Sequence, residues 1–284
     1  MLREWRSMAN IVLRKYQEDA VKFALKVKKA LFCMRVGSGK TICAMFSLRS
    51  LFKAKQIDKA IIACTKSSVS VFKKDFKDKG NVDVRLIEDE NELLNFLKSS
   101  DEKVCLVKHS MFEKAGSDIN ILNQLERIAK VRRVCLIVDE AHKIQNPDGI
   151  AQEAYHRMDF LFDRVLLYTA TPYSSCLSQF WGLICVIHPE IWPTKRSFYS
   201  RHIDEVAIKD PRTHRVIRKE KVRYRNLAEF RKKIEPFTYF YYPIIPLVHM
   251  EHHTQLSLEH MAEYNELCKG TLTDEDLLKI KESE

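Results

Sequence analysis

Residues 37–41 read Gly-Ser-Gly-Lys-Thr, and residues 139–142 read Asp-Glu-Ala-His. The first run follows the apolar segment Leu31-Phe32-Cys33-Met34 and opens a stretch with helical apolar spacing. Glycines permit a tight turn at such a junction. The N–H groups that open the helix, aided by its dipole, can cradle phosphate oxygens. Read this way, Val36, Gly37, Ser38, Gly39, Lys40 and Thr41 form a nucleotide loop. Lys40 would reach the β- and γ-phosphates, and the Thr41 hydroxyl would ligate Mg²⁺. A short Gly-x-Gly-Lys run also occurs in surface turns. The strand before it and the helix after it favour phosphate. The general phosphate-loop pattern has a further glycine where this chain has Met34.

The second run ends the buried-type strand Val134-Cys135-Leu136-Ile137-Val138. Magnesium takes hard oxygen ligands and keeps several waters. A carboxylate at the carboxyl end of a core strand meets that need. Asp139 would hold the Mg²⁺ shell, and Glu140 would orient or deprotonate an attacking water. The competing reading is a polar helix cap. His142 either couples the nucleotide site to a neighbouring motif or packs in the turn.

The surrounding chain has 284 residues, 45% of them hydrophobic, enough for a sizeable α/β core. Its net charge is +10, from 48 Lys and Arg against 38 Asp and Glu. A basic balance favours polyanionic partners, although alone it discriminates little. The apolar runs are too short to span a bilayer, and no signal-peptide plan follows Met1. The expectation is an intracellular protein, cytoplasmic or associated with the nucleoid or nucleus, with no membrane partner. Cys33, Cys43, Cys64, Cys105, Cys135, Cys176, Cys185 and Cys268 form no CxxC pair, and most lie in apolar stretches. Free thiols acting as small hydrophobes are expected rather than disulfides or a zinc site. His249, His252 and His253 read as a mixed polar surface, with metal binding as the alternative.

The elements that must position these residues alternate. Strands are expected at 30–34, 60–64, 104–107, 134–138 and 164–168, and helices at 41–52, 67–76 and 119–129. This alternation predicts an α/β fold, mostly a parallel sheet with helices on both faces. The character changes after Trp192. Residues 197–225 are highly charged, with Arg212, Arg215, Arg218, Lys219, Lys221, Arg223 and Arg225 crowded together. A short helix at 227–234, an aromatic run at 237–242, Pro243 and Pro246, and a helix at 258–267 follow, with a polar helical tail to Glu284.

With Thr169-Ala170-Thr171-Pro172, these motifs resemble superfamily-two helicases, and more narrowly the Swi/Snf-type DNA-dependent ATPases. Leu13-Arg14-Lys15-Tyr16-Gln17 is similar to the family's LRxYQ segment, and Ala141–Asn146 to its extension of the acidic box. Phe180-Trp181-Gly182-Leu183, Pro189-Glu190 and Gln255-Leu256-Ser257…Tyr264 continue the resemblance, which covers roughly residues 11–268. Arg35 stands where the family usually has an acidic residue, and Ala170 where it usually has glycine.

The resemblance implies a RecA-like P-loop NTPase lobe over residues 1–268, with a basic insertion near 197–226. Residues 269–284 would be a helical tail or the start of a linker to a second lobe. It implies ATP and Mg²⁺ as cofactors, and a glutamine, Gln17, that reads adenine. Thr169 and Thr171, with His142, would couple nucleotide state to a nucleic-acid path. That path, by analogy, runs near Cys64–Ser68 (Thr65, Lys66 and Ser67 as contacts) and near Lys108–Met111 (Lys108 and His109). Ordinary helix capping by Ser67 or Ser110 is the alternative. The basic segment Arg212–Arg225 is either a DNA-facing insertion or a solvated hairpin. Duplex DNA is the favoured partner, with RNA as the alternative. A second RecA-like lobe, from the rest of the chain or from a partner, would supply arginine fingers. The leading function is a duplex-translocating ATPase. A strand-separating helicase and a nucleotide-binding adaptor lobe completed by a partner are the alternatives.

Overall fold

The computed structural model describes residues 11–99, 101–172, 177–209 and 216–242, the side chains of 205–222 excepted. Helix α1 (Lys15–Lys26) leads into strand β1 (Lys29–Met34), and α2 (Lys40–Lys53) into β2 (Lys59–Cys64). Then come α3 (Lys66–Gly80), β3 (Arg85–Ile87), α4 (Glu90–Lys98) and β4 (Val104–Lys108). Helices α5 (His109–Ser117) and α6 (Ile119–Ala129) precede β5 (Val134–Val138), and α7 (Ile150–Arg157) precedes β6 (Arg164–Thr169). These strands, joined by a late β9 (Thr238–Tyr241), form a parallel sheet in the order β3-β4-β2-β5-β6-β1-β9.

Alternation along each strand explains why the sheet is covered on both sides. Leu31, Ile61, Val107, Leu136 and Leu167 point into one core, with side chains from α4, α5, α6, α7 and α8 (Leu177–Ile187). Phe32, Ile62, Leu106, Ile137 and Tyr168 point into the other, with side chains from α1, α2 and α3. Both faces are therefore apolar, and polar chemistry is confined to the strand ends. At the amino end, Arg164 is buried, and its guanidinium donates to the carbonyls of Ala24 (2.9 Å), Leu25 (3.2 Å) and Val27 (3.2 Å). A cation there satisfies carbonyls that the end of α1 leaves unpaired.

The strands and helices predicted within the described residues are present with small shifts at their ends, while the helices expected at 258–267 and in the tail lie outside those residues. Strand β3 has only three residues, too few to show a period. The aromatic run at 237–242, unassigned from sequence, supplies the edge strand β9, where Thr238–Tyr241 pair with Leu31–Met34. The charged segment forms α9 (Lys195–His202) and an antiparallel hairpin, β7 (Ile203–Lys209) with β8 (Val216–Tyr224), before α10 (Leu227–Ile234). Its root packs on Trp192, Phe198 and Phe230, whose rings surround His202 at 5.1–5.6 Å. Arg212, Arg215, the Thr-Pro continuation 173–176, the histidines at 249–253 and everything from Pro243 onward lie outside the described residues, as do Cys176 and Cys268. The six other cysteines are free and buried. Among the described residues no helix is long and apolar enough to cross a membrane.

One close approach locks the acidic box onto the sheet's helical cover. A Cβ at Gly182 in α8 would overlap the carbonyl of Gln145, at the end of the short helical turn Ala141–Ile144. The backbone there can yield little, so Gly182→Ala is expected to destabilise the fold by about 1–3 kcal/mol. Urea denaturation checks this, and a midpoint equal to wild type would show that the turn shifts freely.

Candidate nucleotide and nucleic-acid site

The phosphate loop is built by β1, two left-handed glycines and α2. Gly37 and Gly39 have φ of 78° and 80°, and between them Ser38 turns back so that its hydroxyl donates to the Arg35 carbonyl at 2.6 Å. Gly39 is the N-cap of α2 and brings no side-chain cap, and the first turn of α2 carries no acidic residue. The opening N–H groups of a fourteen-residue helix thus face outward with their dipole uncompensated. Lys40 and Thr41 are half-buried on the first turn, and Val36 is exposed.

The loop is braced from behind. The Ser38 carbonyl accepts from the Tyr16 hydroxyl and from Gln17 Nε2, both at 3.1 Å. Gln17 Oε1 in turn accepts from the Arg14 N–H at 3.0 Å. Tyr16 stacks on Tyr241 with ring centroids 3.7 Å apart, and the Arg35 N–H donates to the Tyr241 carbonyl at 3.1 Å. Gln17 is buried. Its amide is spent at both ends on the loop and on the start of α1, so it acts here as a strut. A side chain at position 39 would also meet it, since a Cβ there would lie 2.6 Å from Gln17 Nε2.

The acidic box sits at the carboxyl end of β5, two strands from β1, with β6 between them. The ends of β5, β6 and β1 therefore carry Asp139–Glu140, Thr169–Thr171 and the phosphate loop side by side. Asp139 is 8% exposed. Burial is the main cause that raises its carboxyl to about 6. The neighbouring Glu140 carboxylate adds to the rise, while a hydrogen bond from Ser68 and the charge of Lys40 oppose it. The Asp139 N–H donates to the Ala63 carbonyl at 2.8 Å. Glu140 follows in a left-handed conformation, φ 50° and ψ 51°, which a non-glycine residue adopts at a cost. Its carboxylate lies 3.2 Å from His142 Nδ1, out of line for a hydrogen bond. Thr169 is fully buried, and its hydroxyl oxygen accepts from the Thr171 N–H at 3.0 Å.

The start of α3 and the acidic box share one cleft. Thr65, Lys66, Ser67 and Ser68 line an open cleft of about 770 Å³ together with Glu140, His142 and Lys143. Thr65 is the N-cap of α3, accepting from the Ser68 N–H at 3.2 Å. The cap is thus Thr65, not Ser67 or Ser110 as the capping alternative had it, since α5 begins without a side-chain cap. Sequence reasoning put Ser68 at the end of the nucleic-acid segment and Lys143 in the extension of the acidic box, and named neither as a site residue. The hydroxyl run Thr65–Ser68 ahead of a helix was the available signal for Ser68. Lys108 stands apart as the N-cap of α5, half-buried and paired with Glu88 at 3.0 Å. His109 does not join it on the surface. It is 8% exposed, and burial holds its proton affinity down, to about 4. Its ring is enclosed and hydrogen-bonded on both sides, so a nucleic-acid strand has no access to it.

Magnesium fits these residues. A buried carboxylate with a raised proton affinity is an anion short of positive charge, and the hydroxyls of Ser68 and Thr41 are hard donors of the kind this ion takes. Among the described residues no group of three or more His, Cys, Asp and Glu could hold a metal, so an ion here would complete its shell with water and phosphate oxygens.

Residues 10–174 match the family described as type III restriction enzyme, res subunit. In structure the chain is similar to the SWI2/SNF2 ATPase core of Sulfolobus solfataricus in complex with double-stranded DNA. The TM-score is 0.58 at 16% identity, over 81% of this chain and 44% of that one. It is also similar to the SWI2/SNF2 ATPase core domain of the same organism, with a TM-score of 0.55 at 16% identity, over 68% of this chain and 38% of that one. At this identity the likeness is one of fold. The chain spans less than half the length of these solved chains.

The raised Asp139 carboxyl makes metal-free stability depend on pH. Between the ordinary value of 3.8 and about 6, the folded state binds more protons than the unfolded state. Unfolding free energy therefore falls as pH rises through that window. In EDTA at pH 7.5, Asp139→Asn is expected to be more stable than wild type by about 1–3 kcal/mol, the advantage closing near pH 4. Added Mg²⁺ should stabilise the wild type alone. Equal urea midpoints for the two proteins at pH 7.5 would contradict the assignment.

Proposed function

Because the chain belongs to the type III restriction enzyme res-subunit family, we propose that it is the ATP-binding lobe of a DNA-dependent ATPase that couples hydrolysis to movement on duplex DNA. The observation that carries this reading is the adjacency of the ends of β5, β6 and β1. That order sets an acidic box, a threonine turn and a phosphate loop along one edge, outside the carboxyl ends of parallel strands where such sheets bind ligands.

ATP phosphates would rest on the N–H groups that open α2, with Lys40 pairing the β- and γ-phosphates. Asp139 and Thr41 would hold Mg²⁺, which when bound neutralises charge developing on the phosphoryl oxygens. Glu140, whose carboxylate borders the open cleft, would orient the attacking water and accept its proton. Gln17 stands behind the loop, and adenine would reach it only through the donor and acceptor capacity its two bonds leave over.

A nucleic-acid backbone would cross the start of α3, where Thr65, Lys66 and Ser67 offer hydroxyls, a charge and helix N–H groups to phosphates without reading bases. Lys108 at the start of α5 would add charge further along. Thr169 and Thr171, joined by a hydrogen bond at the end of β6, would report nucleotide state to that path. The double-stranded DNA held by the similar Sulfolobus core favours duplex over single strands as the substrate. A second RecA-like lobe, from elsewhere in the same polypeptide or from a partner, would complete the site with arginine fingers. A role on DNA would put the protein inside the cell.

The test is ATPase activity with duplex DNA, single-stranded DNA and RNA, for this chain and for one extended by a second lobe. Duplex stimulation of the extended form is expected, with Lys40→Ala and Glu140→Gln each lowering kcat by about 100-fold or more. Glu140→Gln should still bind ATP. Stimulation by single strands alone would turn the reading toward strand separation, and turnover surviving Lys40→Ala would overturn the site.

A further inference from the structure

His109 opens α5, directly after Lys108, yet its ring points inward to two partners far away in sequence. Nδ1 lies 2.8 Å from the Tyr155 hydroxyl oxygen, and Nε2 lies 3.0 Å from the backbone carbonyl oxygen of Asp139. A carbonyl can only accept, so the ring proton must be on Nε2. A neutral imidazole protonated there has a bare Nδ1, so the Tyr155 hydroxyl must donate to it. One chain of hydrogen bonds, with one arrangement of protons, runs from Tyr155 in α7 through His109 to the acidic box. Tyr155 is fixed in its turn, 1% exposed and packed against the Phe112 ring at 4.7 Å.

The carbonyl that His109 holds belongs to the peptide linking Asp139 to Glu140. Glu140 is one of the few described non-glycine residues with positive φ. Left-handed backbone is strained for such a residue and persists only where the surroundings over-determine it. Turning the 139–140 peptide would relieve the strain, and it would also swing the carbonyl away from Nε2. On the other side of Asp139, the bond from its N–H to the Ala63 carbonyl prevents the residue from following. The strained conformation is thus held at both ends of Asp139.

We propose that His109 is a positioning residue for hydrolysis: through Asp139 it locks the 139–140 peptide, and so fixes where the Glu140 carboxylate stands in the cleft. This rests on the reading that Glu140 serves ATP hydrolysis. It adds a link between the two halves of that reading. Lys108, the proposed backbone contact at the start of α5, is covalently next to the residue that holds the general base. A polyanion drawing on that helix start pulls on the same peptide.

The closing experiment uses the chain extended by a second lobe, with duplex DNA, and compares wild type with His109→Gln, His109→Leu, Tyr155→Phe and Lys40→Ala. Imidazole ¹⁵N–¹H correlation spectra of the nucleotide-free protein should show His109 as the Nε2–H tautomer. His109→Leu should lower kcat by about 10- to 100-fold, as expected for a base displaced by a fraction of an ångström, while the Kd for a fluorescent ATP analogue stays within about threefold. His109→Gln, which keeps an amide N–H near the Nε2 position, should recover much of the loss. Tyr155→Phe should fall between them. An Nδ1–H tautomer, a leucine variant with kcat near wild type, or a glutamine variant no better than leucine would overturn the role of His109, with Lys40-dependent hydrolysis still standing. Should the leucine variant fail to fold, the glutamine and Tyr155 variants and the spectrum decide. Wild-type hydrolysis that is absent, or indifferent to Lys40→Ala, would instead overturn the ATPase reading on which the role rests.

Discussion

Asp139 puts a carboxylate below the surface of a sheet whose two faces are already committed to apolar packing. Burying such a charge is costly unless it is paired and hydrogen-bonded. Its surroundings can be read as answers to that cost. The N–H is tied to Ala63 on the neighbouring strand, the carbonyl to His109, and the carboxylate to Ser68 on α3. Lys40 adds positive charge and Glu140 takes some away. The sum falls short, which is why the proton affinity stays high and why a divalent cation suits the site. The elements that carry these ties are β2, α3, α5 and the phosphate-loop helix. One residue thus fixes the relative placement of most of the sheet's carboxyl edge.

The phosphate loop is the second fixed point, and it is held by a different part of the chain. Two left-handed glycines make it pliant, and the Ser38 carbonyl gives neighbours something to grip. Tyr16 and Gln17 do so from α1, and the Tyr16–Tyr241 stack ties α1 to β9. Tyr239 reinforces this, its hydroxyl donating to the Tyr16 carbonyl at 2.7 Å. The aromatic strand after α10 thereby stiffens a loop some two hundred residues earlier. Tyr239 and Tyr241 also pack against the sheet's core, while Phe240 and Tyr242 remain half exposed.

The motifs were legible because each is contiguous. A strand, a glycine turn and a helix start lie within residues 29–53, and strand β5 runs straight into its carboxylates. The same contiguity shows the parallel sheet, since each buried strand is a continuous apolar run. His109 was misplaced because a histidine between Lys108 and Ser110 looks exposed. The partners that bury it, Asp139 and Tyr155, are 30 and 46 residues away. Lys59 shows the same limit: it is fully buried over the Phe96 ring at 4.5 Å, with its ammonium donating to the Glu102 carbonyl. Nothing in Asp-Lys-Ala announces that. The role of Gln17 as a strut was hidden for a like reason, because its partner is a backbone carbonyl, and a backbone carbonyl leaves no mark in a sequence.

What joins the two fixed points is the cleft where Thr65–Ser68 meet Glu140 and His142. Ser68 has its N–H on Thr65 and bonds the carboxylate of Asp139, so the start of α3 and the proposed metal ligand are one hydrogen-bonded unit. His109 makes the start of α5 part of the same unit through the opposite side of Asp139. A phosphate backbone seated on either helix start would perturb Asp139, by its carboxylate in one case and by its carbonyl in the other. Binding linkage is reciprocal, so Mg²⁺ and nucleotide on Asp139 would change the hold on that backbone by the same factor. The translocation proposed above would need this property, since grip must rise and fall with the nucleotide cycle. Here it requires no distant relay, only that both ligands compete for the orientation of one buried aspartate.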